Sequence, residues 1–180
     1  MMEGGILMKI VVNGGHCPGA DSGALGSKSE EAVICQELME LTSQYLLNVG
    51  CEVLCVQKNE LAEIVAATDA FGADLFVSIH CNAAENKDAR GTEVFFASAE
   101  GMRLAVCLQK QITLSLGTVN RGVKDGSWLY VLKNAEAIGV LVETAFISNP
   151  EDEELLLVQA DGFARAIARG FTDYMAECMG

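Results

Sequence analysis

Short apolar runs alternate along the chain with stretches in which apolar residues return every three or four positions. This is the pattern of a protein that lays down strands and helices in turn. It predicts strands at residues 8–13, 51–57, 74–80, 91–97, 128–132 and 138–143. Within Glu30–Val49, Ile34, Leu38, Leu41 and Tyr45 recur at helical steps, which predicts an amphipathic helix ended by Gly50. Leu61, Ile64, Val65, Thr68 and Phe71 mark a second helix stopped by Gly72, and Leu104, Leu108 and Ile112 mark a third. The last helix carries its own start signal. Asn149 can cap it, Pro150 suits a first position that needs no N–H, and Glu151, Asp152 and Glu153 favour the positive end of the helix dipole. Its apolar face continues through Leu155, Leu156, Phe163, Ile167, Phe171 and Tyr174, with Asp161-Gly162 as the place for a break. Gly91–Ala97 alternates enough to be a half-exposed strand, antiparallel and at an edge. The expected fold is α/β: a single domain with a mostly parallel mixed sheet of about six strands, flanked by helices on both faces.

Composition narrows this picture. At 180 residues and 51% hydrophobic, the chain can bury one core. Residues 8–180 are expected to form that domain, with residues 1–7 disordered. Twelve Lys and Arg against 25 Asp and Glu give a formal charge of -13, which repels both nucleic acid and anionic membrane surfaces. Neither is an expected partner, and a monomer is expected. The seven cysteines are odd in number and scattered, with no CxxC pair, which points to a reducing compartment rather than a disulfide scaffold. Cys51 and Cys55 share a strand face and are expected in the core. Met1–Met8 lacks the basic and long apolar regions of a secretory signal, and no run approaches the ~18–20 apolar residues of a membrane helix.

The candidate chemistry lies at strand ends. The only two histidines, His16 and His80, each stand at the carboxyl end of a predicted buried strand, and the run Ile138–Val142 ends in Glu143. In open α/β sheets these ends open into the ligand crevice. Two histidines and a carboxylate form a zinc ligand set that leaves a position free for water, and a second carboxylate outside the set can shuttle the proton. Glu143 supplies one carboxylate, and Glu30 or Glu31 the other, because the first helix begins just after the His16 loop. At 100° per residue these two lie about 50° to either side of the apolar stripe, so periodicity does not choose between them. An ionisable group directly after a fully apolar run has a charge to justify, which favours function for Glu143. Cys17 and Cys81 each follow a candidate ligand, and alternation turns them away from it, so both are expected to be packing residues.

Four segments resemble the zinc-dependent N-acetylmuramoyl-L-alanine amidases of bacteria and their phages. Val11–His16 with Asp21-Ser22-Gly23-Ala24 is similar to the first metal-ligand motif, and Ala73–Ala83 to the second-histidine motif. Asn120–Lys124 followed by Leu129–Leu132 resembles the segment bordering the substrate groove, and Leu141–Pro150 the catalytic-glutamate motif. The likeness runs from about Met8 to the last helix. It implies one Zn2+ ion on His16, His80 and a glutamate opening the first helix, with Glu143 as general acid/base. Family spacing to Gly50 favours Glu31, with Glu30 as the rival. It also implies that Asp21 stands behind the ligands, that Asn82 and Arg121 meet the substrate, and that this substrate is peptidoglycan or a muropeptide, cut between the lactyl group and L-alanine. Alternatives are another zinc amino- or carboxypeptidase, or a silent peptidoglycan-binding relative.

Departures from the pattern are Asn13-Gly14 for Asp-Pro, Cys17-Pro18 for Gly-Gly, and Ala145 for Gly. None removes a ligand. No inserted helix of the kind that blocks autoinhibited relatives is present, so an open groove is expected. Synthesis in the cytoplasm, with action on the wall after lysis or non-classical export, completes the expectation.

Overall fold

The computed structural model describes residues 7–179, so the disorder expected for residues 1–7 lies, Leu7 apart, outside the described residues. The elements run β1 (Lys9–Gly14), α1 (Glu31–Asn48), β2 (Glu52–Val56), α2 (Leu61–Phe71), β3 (Leu75–Asn82), β4 (Thr92–Phe96), α3 (Ala99–Leu116), β5 (Asn120–Asp125), α4 (Tyr130–Asn134), β6 (Ile138–Phe146), α5 (Pro150–Val158) and α6 (Ala160–Met179). The six strands form one sheet in the order β2-β1-β3-β6-β4-β5. Every pairing is parallel except β4 with β6. The α/β expectation of a mostly parallel mixed sheet therefore holds.

Runs without polar alternation become the central strands because both faces are covered. Ile10, Val11 and Val12 of β1, and Leu75, Phe76 and Val77 of β3, are fully buried. On one face, α1, α3 and α6 pack with Leu38, Leu46, Leu104, Leu108, Phe163, Ile167 and Phe171 in the main core. On the other, the short α2 and α4 bring Ile64, Val131 and Leu132 onto Val11, Phe76 and Leu141. Two short helices do not cover the whole of that second face, and the part toward the carboxyl ends of the strands is left as a cleft.

The helix signals operate as chemistry demands. Gly72 ends α2 in the left-handed conformation, at φ 67°. The Asn149 side chain accepts from the backbone N–H groups of Glu151 and Asp152, with Pro150 in the first turn of α5. The break after α5 falls at Gln159, just before the expected Asp161-Gly162.

Three expectations are corrected. Residues 128–132 do not form a strand: a tight turn, closed by Leu129 N–H donating to Gly126 O at 2.8 Å, leads directly into α4. The β-favouring composition of Trp128–Leu132 yields to packing, since Val131 and Leu132 are buried against the second core while Trp128 and Tyr130 stay exposed. The sixth strand is instead β5, which escapes a periodicity reading because Val123 is its one aliphatic side chain. An edge strand paired on one side needs little apolar surface, and a register shift bulges it near Gly122. Strand β4 is antiparallel as expected but not at the edge, because β5 lies outside it. Finally, Cys51 is buried but Cys55 is exposed on β2, at the open edge of the sheet, with its thiol donating to Ser43 Oγ at 3.0 Å.

Candidate functional site

The chain reverses its direction of travel across the sheet between β1 and β3, whose carboxyl ends are flanked by β6. His16 follows β1, His80 lies near the end of β3, and Glu143 lies near the end of β6. His80 and Glu143 are register partners across the β3–β6 pair, so their side chains leave the same face. Sequence alternation thus places one imidazole beside one carboxylate.

His16 has φ 58°, and it is the one non-glycine residue with positive φ among those described. That conformation costs of order 1–3 kcal/mol and is held only where the surroundings impose it. Here the surroundings are a loop that turns back on itself: Asp21 Oδ2 accepts from His16 Nδ1 at 2.7 Å, while its Oδ1 accepts from the Gly23 N–H at 3.0 Å. The other ring nitrogen, Nε2, faces Glu31 Oε2 at 3.2 Å. His80 presents Nδ1 to Glu31 Oε1 at 3.0 Å. Its Nε2–H donates to Ser78 Oγ at 3.1 Å, and the Ser78 hydroxyl donates to Asn13 Oδ1 at 2.6 Å. Asn13 is anchored in turn to the carbonyls of Gly14 and Val56.

Glu31 is 4% exposed, whereas Glu30 is exposed and serves only as the residue before α1. The structure therefore brings Glu31, not Glu30, to the two rings. Both Glu31 oxygens also accept from the backbone, Oε2 from Ala24 at 2.8 Å and Oε1 from Cys81 at 3.1 Å. Burial would raise its pKa, but the His16 and His80 hydrogen bonds outweigh that and hold the carboxyl well below its usual range. The hydrogen bond to Glu31 in turn lifts His16 to about 9, against the opposing effect of burial.

This donor set fits a divalent metal ion. One atom from each of His16, Glu31 and His80 lies within 4.8 Å of the others, and ligands at ~2.0–2.1 Å around a tetrahedral ion sit roughly 3.3 Å apart. The rings are nearly perpendicular, at 79°, with centroids 5.3 Å apart. The cradle is sterically set by two glycines. A Cβ on Gly15 would stand 2.4 Å from the His80 ring, and one on Gly23 would stand 2.6 Å from both Glu31 and His16.

Glu143 lies outside this set, and its Oε2 is shut off from solvent with no hydrogen-bond partner. Desolvation is the main cause that pushes its pKa up from 4.5 to about 7, with the charges of Glu31 and Glu93 adding to it. Across β6, Glu93 is its antiparallel register partner. Glu93 accepts from Arg121 Nε at 2.6 Å, Lys124 Nζ at 2.5 Å and Asn82 Nδ2 at 2.9 Å. Burial opposes its ionisation, but Lys124 and Arg121 keep it charged. Asn82 and Arg121 thus meet on Glu93, on the side of Glu143 away from the histidines, and the Arg121 guanidinium covers the Phe146 ring at 4.8 Å. Glu93 was hidden in the sequence because its strand alternates as if that face were solvated. Ser78 and Asn13 were equally hidden inside apolar runs.

A cleft of about 370 Å³ joins His16, Asp21, Ser78 and His80 to Lys58, Asn59, Leu61 and Tyr130, and it is open to solvent at the last four. The loop that leads to Glu31 is fastened from a distance. Glu153 on α5, 2% exposed, accepts from the Ser27 and Lys28 N–H groups and from the Ser27 and Ser29 hydroxyls, which ties the loop before Glu31 to the start of α5. These hydrogen bonds hold its pKa near 2 in spite of burial.

Residues 10–173 match the family described as Amidase_3, N-acetylmuramoyl-L-alanine amidase. The chain is 34% identical over 175 residues to the N-acetylmuramoyl-L-alanine amidase LytC of Bacillus subtilis (strain 168), an alignment that covers 92% of this chain and 35% of that protein. The chain thus spans about a third of that relative's length. Among solved structures, the fold is similar to the N-acetylmuramoyl-L-alanine amidase AmiC2 of Nostoc punctiforme, with a TM-score of 0.88, 29% identity, and 94% and 97% of the two chains covered. It is equally similar to the catalytic domain of the amidase CwlV from Bacillus (Paenibacillus) polymyxa var. colistinus, with a TM-score of 0.88, 26% identity, and 94% and 99% covered.

Proposed function

The chain belongs to the N-acetylmuramoyl-L-alanine amidase family, and from that premise we propose that it hydrolyses the amide between the lactyl group of N-acetylmuramic acid and L-alanine in peptidoglycan. The observation that carries this is the convergence of His16, Glu31 and His80 on one point of an open cleft, with the unpartnered Glu143 carboxyl on the neighbouring strand. We assign His16 Nε2, His80 Nδ1 and a Glu31 oxygen as ligands of a single zinc ion. When bound, the ion would supply Lewis-acid activation of water and of the scissile carbonyl.

The rest of the chemistry belongs to the chain. Glu143 takes the proton of the attacking water and hands it to the departing amine of L-alanine. Its Oε2 has no hydrogen-bond partner to hold the carboxyl in one protonation state, so it is free to take up a proton and to release it. Asp21 fixes the His16 tautomer by accepting from Nδ1, and Ser78 with Asn13 does the same for His80. Glu31, held in place by two backbone donors, stays ionised and cannot compete for the proton. Asn82 and Arg121, gathered on Glu93, form the wall that faces the bound substrate.

The test is Glu143→Gln, assayed for zinc content and for release of L-alanine-terminated stem peptides from muropeptides. Retained zinc with lost hydrolysis is expected. Hydrolysis at the parent rate, or release of terminal amino acids in place of stem peptides, would overturn the proposal.

A further inference from the structure

The cleft has one feature that neither the fold nor the hydrolytic groups account for. Trp128 is the only tryptophan of the chain and is 71% exposed. It belongs to neither apolar core. Phe95 braces the indole edge to face, with ring centroids 6.3 Å apart at 80°. Phe95 is the register partner of Leu141 on β6. Leu141, together with Leu129 and Tyr130, lines the same cleft as His16 and His80. The indole therefore stands on the rim of that cleft. Leu141 stands two residues before Glu143 along β6, and the strand spacing and the ring spacing of 6.3 Å separate the indole from it further, so the indole stands off from Glu143.

Most of this indole is left in water, and its one aromatic contact is the edge-to-face brace of Phe95. The cation on this side does not use it: Lys124 Nζ lies over Phe95, 6.0 Å from that ring's centroid, and pairs with Glu93. Its face thus remains available to a flat, uncharged partner. The C–H face of a pyranose ring is such a partner, since its weakly positive hydrogens match the electron-rich face of an indole. Glycan strands whose lactyl carboxyls are amidated carry no charge. A charged stem peptide would instead seek ionic groups, and Arg121 and Lys124 are engaged with Glu93.

We propose that Trp128 is a specificity-determining residue whose indole face stacks on a sugar ring of the glycan strand, away from the sugar whose lactyl amide is cut. The proposal rests on the amidase reading above and names the part of the substrate that this rim recognises.

Because Trp128 is the only indole, fluorescence of the full chain excited beyond the absorption of its three tyrosines reports on that ring alone. The probes are an N-acetylglucosamine oligomer, which lacks the scissile amide, and the free stem peptide. A saturable blue shift with the oligomer and none with the peptide is expected. By calorimetry, Trp128→Ala should bind the oligomer about three- to tenfold more weakly, the loss expected for one stacking contact. Trp128→Phe should recover part of it. A shift caused by the peptide and not by the oligomer, or unchanged oligomer binding by Trp128→Ala, would overturn the proposal. The two readings fail separately. Muropeptide hydrolysis without an oligomer shift sinks only the role of Trp128, and an oligomer shift without hydrolysis sinks only the amidase reading.

Discussion

Replacing Glu143 with Gln should remove activity and at the same time make the metal-free protein more stable. The carboxyl is raised from 4.5 to about 7 by desolvation and by neighbouring carboxylates. A folded-state pKa above the unfolded one means that the native state binds the proton more tightly, so the carboxyl's contribution to stability is full below 4.5 and is lost as pH rises through 7. Each pH unit of that gap is worth about 1.4 kcal/mol, so ionised Glu143 costs the fold about 3 kcal/mol above neutrality. Gln keeps the shape and carries no charge to desolvate. Thermal melts of both proteins in chelator should therefore coincide near pH 4.5 and separate as pH rises. The variant should lead by about 6–12 °C at pH 8, at about 2–4 °C per kcal/mol for a chain of this size. Chelator is needed because a nearby cation would lower the pKa of Glu143 and hide the effect. Melting curves that run parallel across this range, or a less stable variant at pH 8, would refute the assignment of Glu143 as a desolvated carboxyl.

Other expectations concern the support of the site. Asp21→Asn should weaken zinc binding about 10- to 100-fold, because the side chain that fixes the His16 tautomer loses its charge; competition with a zinc-sensitive dye measures this. Gly15→Ala or Gly23→Ala should abolish zinc binding while leaving a folded chain, since the added carbon lands on the His80 ring or between His16 and Glu31; metal analysis beside circular dichroism checks both halves. Glu153→Ala should cost about 1.5–3 kcal/mol in denaturant unfolding, because the part-buried donors of Ser27, Lys28 and Ser29 lose a charged acceptor. As the folded pKa of Glu153 is depressed to about 2, its stabilisation is full above 4.5 and is lost as pH falls through 2, so the two proteins should converge only below about pH 2.

The sequence exposes some of this site and hides the rest for definite reasons. His16, His80 and Glu143 stand out because a polar residue that ends a fully apolar run is conspicuous, and parallel strands bring such ends together. Glu31 cannot be told from Glu30 by period, because both flank the apolar stripe symmetrically. The choice is made by the loop from Ser22 to Ser29, whose Ala24 N–H binds one carboxyl and not the other. Glu93 is buried only because β5 lies outside β4, and β5 is too polar to announce itself. Trp128–Leu132 misleads in the opposite sense, since its strand-like composition is overridden by a turn and by the fit of Val131 and Leu132 over the sheet. Helix boundaries, set by Asn149, Pro150 and Gly72 within a few residues of the elements they govern, are legible almost to the residue.

The tie between Glu153 and the loop before α1 has a consequence for how the protein comes to be made. The side chain that fastens Ser27, Lys28 and Ser29 belongs to a residue translated long after them, and Glu143 also comes late. A nascent chain still short of α5 holds both histidines and the loop's own hydrogen bonds, but lacks the carboxylate that fastens Ser27, Lys28 and Ser29. The last hold on this loop is therefore added only when α5 has been made, late in the order of synthesis.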